Sequence, residues 1–149
     1  MRVSALLLLA LAVACSRPPA DPVEALLAEM EAAAEARDAD RLGERLAPAF
    51  RGDHGLGRAE AIVQLRRYFA AYESVVVEAY GVEQERDGGA ARVRCVVEFS
   101  GQARKALGLG GLLPPAAVYR FDLDVAEDGG TWRVREASWE PAEAGPGDR

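Results

Sequence analysis

Few side chains in this chain could do chemistry. There are two cysteines, Cys15 and Cys95, and a single histidine, His54. One cysteine and one histidine, without carboxylates in a defined spacing, cannot assemble a zinc site, so no metal and no cofactor is expected. His54 lies in Arg51-Gly52-Asp53-His54-Gly55, where adjacency along the chain does not make a base dyad, and a solvated loop histidine is the expectation. Cys95 sits in an alternating apolar run. It could be a nucleophile, but only outward arginines would lower its pKa, and a small buried hydrophobe fits the pattern better. Tyr72 and Tyr119 could donate hydrogen bonds to a carbonyl-bearing ligand, or could be core residues with the hydroxyl at a rim. With Phe69, Cys95, Phe99 and Trp139 they form the candidate pocket lining. No catalytic residue is assigned.

Cys15 carries a different chemistry. Arg2 is followed by an unbroken apolar stretch, Ala5 to Ala14, with small residues at its end: a basic start, an apolar middle and a cleavage region. About ten apolar residues cannot span a hydrocarbon core that needs roughly 17–25. Leu11-Ala12-Val13-Ala14-Cys15-Ser16 resembles a bacterial lipobox, whose cysteine takes a diacylglycerol before the leader is cut away. Ala12-Val13-Ala14 also fits ordinary signal peptidase, which would release a soluble protein. Two or three acyl chains hold a protein stably at about 0.8 kcal/mol per buried methylene. The expectation is therefore a lipoprotein of the cell envelope, lipidated at Cys15; Ser16 in place of aspartate implies the periplasmic face of the outer membrane if the cell is Gram-negative.

The formal net charge is −6, and loss of a leader whose only charged residue is Arg2 takes it to −7. A field of that sign does not draw the protein to nucleic acid or to anionic lipid.

The elements that must position these residues follow from periodicity. Residues 1–14 are the leader, 15–21 a tether stiffened by Pro18 and Pro19, 22–140 one folded domain and 141–149 a disordered tail. Asp21-Pro22, with Glu24 behind it, announces a helix whose apolar face is Leu26, Leu27, Met30 and Ala33/Ala34. A break near Arg37 to Asp40 restarts a short helix, capped by Asp40 and ended by Pro48, and Phe50 and a Gly-rich loop follow. Ile62, Leu65, Phe69 and Tyr72 stripe a third helix over about 58–73.

From Ser74 the period becomes two, giving strands at about 74–84, 90–100, 116–126 and 131–139. Asp87-Gly88-Gly89 and Asp128-Gly129-Gly130 are hairpin turns. Val93, Cys95, Val97 and Phe99 share one face, as do Tyr119, Phe121, Leu123 and Val125, while Glu98, Asp122 and Asp124 face out. In the last strand Trp132 and Val134 agree with Ala137 and Trp139 only if a bulge near Arg135-Glu136 slips the phase. Outward Arg92/Arg94, Asp122/Asp124 and Arg133/Arg135 would make a basic–acidic–basic ladder.

Ala36-Arg37-Asp38-Ala39-Asp40-Arg41-Leu42, Gly57-Arg58-Ala59-Glu60-Ala61-Ile62 and Gly129-Gly130-Thr131-Trp132-Arg133-Val134 with Trp139, in this order, resemble the nuclear transport factor 2 family over roughly 22–140. The resemblance implies an α+β, cone-shaped fold: three N-terminal helices packed on a curved, mostly antiparallel sheet, a meander of four long strands. The family includes ketosteroid isomerases, polyketide cyclases and dehydratases beside non-catalytic binding modules, so fold alone leaves function open. Its enzymes carry ionisable groups inside the cone; here the inward positions are nearly all apolar. Family members often pair through the sheet, so a homodimer is an expectation of the resemblance.

Gly101 to Pro115 interrupts the meander with an apolar run in which Leu107, Leu109, Leu112 and Leu113 could close the cone, form a lid over a ligand or contact a partner. Arg104 and Lys105 before it allow a further role at a lipid surface. The functional expectation is a membrane-anchored lipoprotein whose domain binds an apolar small molecule or a protein partner without catalysis. An isomerase- or cyclase-type enzyme using the cone, and a pure interaction module acting through the 101–115 loop, are the alternatives.

Overall fold

The computed structural model describes residues 21–104 and 116–143. Along the chain come α1 (Pro22–Glu35), α2 (Ala39–Glu44), β1 (Leu46–Arg51), α3 (Arg58–Ala71), β2 (Tyr72–Asp87), β3 (Ala90–Ala103), β4 (Ala116–Asp128) and β5 (Thr131–Pro141), with a 3₁₀ turn at Asp53–Gly55. The sheet order is β1-β5-β4-β3-β2, antiparallel throughout except that β1 lies parallel to β5. The helices pack on one face of this sheet, so the α+β class and the helices-then-meander order read from the sequence hold.

α1 begins where its cap requires: the Asp21 carboxylate accepts from Val23 N at 2.8 Å and Glu24 N at 3.2 Å, and Pro22 occupies the first turn. The helix then runs along the free edge of β2. Arg86 and Gln84 donate to Asp21, the Ala79 backbone N–H donates to Glu31 at 3.2 Å and the Val77 N–H to Glu35 at 3.4 Å. The side chains of one helix thus occupy backbone donors that an exposed sheet edge would offer to another chain. Burial raises the Asp21 carboxyl, but the Val23 and Glu24 N–H groups, Gln84 and Arg86 outweigh it and leave its pKa below the ordinary value.

Two boundaries move. α2 is capped by Asp38, which accepts from Arg41 N at 2.9 Å, and not by Asp40; Arg37, at φ 55°, reverses the chain so that Asp38 falls in the cap position. α2 also ends at Glu44 instead of reaching Pro48, because the chain from Leu46 becomes a fifth strand paired with β5, anchored by Val134 N to Arg45 O at 2.8 Å. Leu46 and Phe50, both buried, are four residues apart, a spacing that shares a face in a helix and in a strand alike. Local pattern could not separate the two.

The long strands keep the expected parity. Val93, Cys95, Val97, Leu123 and Val125 are buried on the helix-covered face, and the phase slip in β5 is a bulge: Asp124 pairs with Glu136 and Val125 with Val134, leaving Arg135 over. β2 carries two irregularities, one at Glu73 and one between Tyr80 and Glu83, where Gly81 takes φ 60°. They set the register that the sequence leaves open, with Val75 and Val77 inward and Val76 outward. The Gly129-Gly130 turn has φ 58° and 81°, the positive pair a two-residue hairpin demands. β3 runs on to Ala103, so Gly101, Gln102 and Ala103 belong to the sheet and not to the loop. At the far end Pro141 closes β5 and Ala142 N donates to Val118 O at 2.8 Å, which carries order slightly past residue 140.

The outer ladder forms in part. Arg92 Nε donates to Asp122 at 2.9 Å and Arg94 lies 3.6 Å from the same carboxylate, but the register sets Glu136 opposite Asp124 and Arg133 opposite Ala126, and Arg133 donates to the Glu44 carbonyl at 3.2 Å. The core has two lobes. Val23, Leu26, Phe50, Val93, Val125 and Val134 fill one, and Ala33, Leu42, Phe69, Tyr72, Val75 and Cys95 the other; Met30 and Phe121 pack against both.

Candidate functional site

The inner face of the sheet becomes aromatic toward one end of β3, β4 and β5. Phe99 lies against Tyr119 (ring centroids 6.1 Å apart) and Phe121 (6.4 Å), Tyr119 against Phe121 (6.4 Å), and Phe121 against Trp139 (5.9 Å). Register puts them together: Val97 pairs with Tyr119 and Phe121 with Trp139, so alternate residues of three neighbouring strands project to one side. All four rings are partly exposed, Phe99 and Phe121 while also packing against the core.

α3 supplies the opposite wall. Tyr68 stacks at 4.7 Å on Tyr72 and edge-on to Phe69 at 6.0 Å. Phe69 and Tyr72 are buried, while Tyr68 keeps 38% of its surface exposed. Burial, with the charge and hydrogen bond of Tyr72 and the charge of Tyr119, pushes the Tyr68 phenol up to about 12. Across the physiological range Tyr68 therefore holds its proton and can act as a hydrogen-bond donor.

Of the candidate lining residues, Phe99, Tyr119 and Trp139 share the open aromatic face, whereas Phe69, Tyr72 and Cys95 lie in the lobe of core beneath it. Cys95 is 3% exposed, and burial together with the Glu31 charge pushes its thiol up to about 11. Tyr68 was missed because it falls just off the Ile62–Leu65–Phe69–Tyr72 stripe; its pairing with Tyr72 across the α3–β2 junction was the signal available. His54 is exposed at φ 58°, and Asp53 beside it accepts from the Trp139 backbone N–H at 2.8 Å, tying the loop to the aromatic end of β5.

Among the described residues no carboxylate, imidazole, amide or cationic residue is buried as a whole; the buried side chains with polar atoms are Tyr72 and Cys95. Nor does any group of three or more His, Cys, Asp or Glu side chains stand where it could hold a metal, and no helix is long and apolar enough to cross a membrane. Cys15 and the leucines at 107, 109, 112 and 113 lie outside the described residues.

No family model matches the sequence, and no curated protein does. Solved structures match over most of the chain. A candidate scytalone dehydratase from Novosphingobium aromaticivorans is 12% identical with a TM-score of 0.69, covering 82% of this chain and 83% of its own. A candidate dehydratase of the nuclear transport factor 2-like family from Streptomyces avermitilis is 18% identical, TM-score 0.66, covering 83% and 95%. A type 2 hexachlorocyclohexane dehydrochlorinase is 12% identical, TM-score 0.61, covering 85% and 93%. At such identities the likeness is one of fold. With its helices over a curved sheet and its aromatic inner face, the chain folds as a nuclear transport factor 2-like domain.

Proposed function

We propose that this protein is an exported lipoprotein, anchored through Cys15, whose domain binds an apolar small molecule on the aromatic face without transforming it. The observation that carries the reading is the composition of that face. It presents the rings of Phe99, Tyr119, Phe121 and Trp139 with the Tyr68 phenol opposite, while Asp122 and Glu140 make their ion pairs with arginines in partly or fully exposed positions. Ring faces of this kind take up flat apolar ligands, and a protonated phenol offers one directional contact to a carbonyl. General acid–base work on such a ligand would need a carboxylate or imidazole with a tuned pKa facing it. The names of the structural neighbours favour a dehydratase or elimination enzyme as the second reading.

Tryptophan fluorescence separates the two. In a Trp132→Phe background, acetonaphthone should quench Trp139 saturably, and Tyr119→Ala should weaken that binding about tenfold. The probe should be recovered unchanged. No saturable quenching would end the binding reading, and steady consumption of an apolar substrate would replace it with the enzymatic one.

A further inference from the structure

A second groove lies away from the aromatic face, where the turn between α1 and α2 meets the end of α3 and the residue that follows β3. It has a volume of about 510 Å³ and is lined by Arg37, Asp38, Asp40, Arg66, Phe69 and Arg104 among others. Three guanidiniums and two carboxylates converge here, in a protein whose net charge is −6.

Both carboxylates are already engaged. Asp40 is paired with Arg66, and Asp38 accepts the Arg41 N–H that caps α2. Arg37 gives one N–H to the Tyr72 carbonyl at 2.9 Å and keeps the rest of its fork. Arg104 is held by its backbone N–H on the Ala71 carbonyl at 2.9 Å, and its guanidinium Nε is buried with no acceptor among the described residues. A buried donor of a charged group without a partner is the exception in folded proteins; Arg104 as a whole is only partly buried and lines the groove, where an acceptor would meet the accessible part of its side chain. Three arginines lining one groove, each with guanidinium N–H groups beyond those already engaged, suit the oxygens of a phosphate or carboxylate.

We infer that this groove binds a small oxyanion of the phosphate-monoester class, with Arg104 and Arg66 as its principal contacts and Arg37 behind them. The groove, about 510 Å³ between the α1–α2 turn, α3 and the end of β3, is of a size for a small diffusible anion.

Calorimetric titration of the full chain in neutral detergent, at fixed ionic strength, tests this with inorganic phosphate and glycerol phosphate. Both should bind saturably, compete, and agree in affinity within about threefold. Arg104→Ala and Arg66→Ala should each weaken binding at least tenfold; Arg66 has a half-exposed side chain, so its loss does not threaten the fold. Arg104→Lys, which keeps the charge and loses the planar fork, should weaken it at least threefold. Arg92→Ala, on the outer sheet face, should stay within twofold. Absence of saturable glycerol phosphate binding, or wild-type affinity in Arg104→Ala and Arg66→Ala, would each overturn the inference.

Discussion

Cys95 shows how position decides the chemistry of a residue that the sequence leaves ambiguous. It is buried in the same core lobe as Ala33, Tyr72 and Val97, and the Glu31 carboxylate further disfavours the thiolate. With the folded pKa near 11 against an ordinary 9.0, the thiol stays protonated and unreactive around neutrality. In a Cys15→Ala background, iodoacetamide at pH 8 should label the native protein at least a hundredfold more slowly than the urea-unfolded chain. The same shift has a consequence for stability. The folded pKa is raised, so the contribution is fully present below pH 9 and is lost as pH rises toward 11. About two units correspond to roughly 3 kcal/mol at the end of that window. Urea midpoints should therefore fall more steeply between pH 9 and 11 in the parent than in Cys95→Ala; parallel curves would refute the shift.

Among the elements, the α3–β2–β3 junction carries the tightest constraint. A Cβ on Gly101 would stand 2.5 Å from the Ser74 carbonyl oxygen and 2.9 Å from Tyr72 Cδ1, so alanine there requires the β2 backbone to move. On Gly43 a Cβ would meet Ile62 Cδ1 at 2.5 Å, the end of a side chain that can change rotamer. Both glycines look alike in the sequence. Gly101→Ala should cost about 1–3 kcal/mol and Gly43→Ala clearly less, measured by chemical denaturation. Equal losses would mean that the β2–β3 pairing at Ser74 is looser than its geometry. The edge cover of β2 belongs to this scale too: Glu31 and Glu35 read as solvated positions of an amphipathic helix, and only the lie of α1 along β2 gives them backbone partners.

For the whole molecule, the proposed lipidation makes a specific demand: an acidic domain is not drawn to anionic lipid by its own charge, so under that proposal attachment would rest on the acyl chains at Cys15. Metabolic labelling with a radioactive fatty acid should mark the wild-type protein and be lost in Cys15→Ala. Label retained by the mutant would sink the lipoprotein reading, while leaving both the aromatic face and the arginine groove to be judged by their own titrations.

Whatever depends on local periodicity was legible beforehand. Alternation in β3 and β4 set which residues face the helices, the glycine pairs marked both hairpins, and the phase slip at Arg135 located the β5 bulge. Three things were decided by tertiary contact alone. β1 exists because Arg45 to Arg51 meets β5, a pairing between residues some ninety positions apart that no short-range pattern encodes. Tyr68 joins the aromatic wall because α3 ends against β2 and turns a position off the apolar stripe toward Tyr72. Arg37, Arg66 and Arg104 look unrelated along the chain, and they converge only because the α1–α2 turn, α3 and the end of β3 meet in space. Side-chain direction follows from the dihedral period of a single element, whereas a site depends on which distant elements touch.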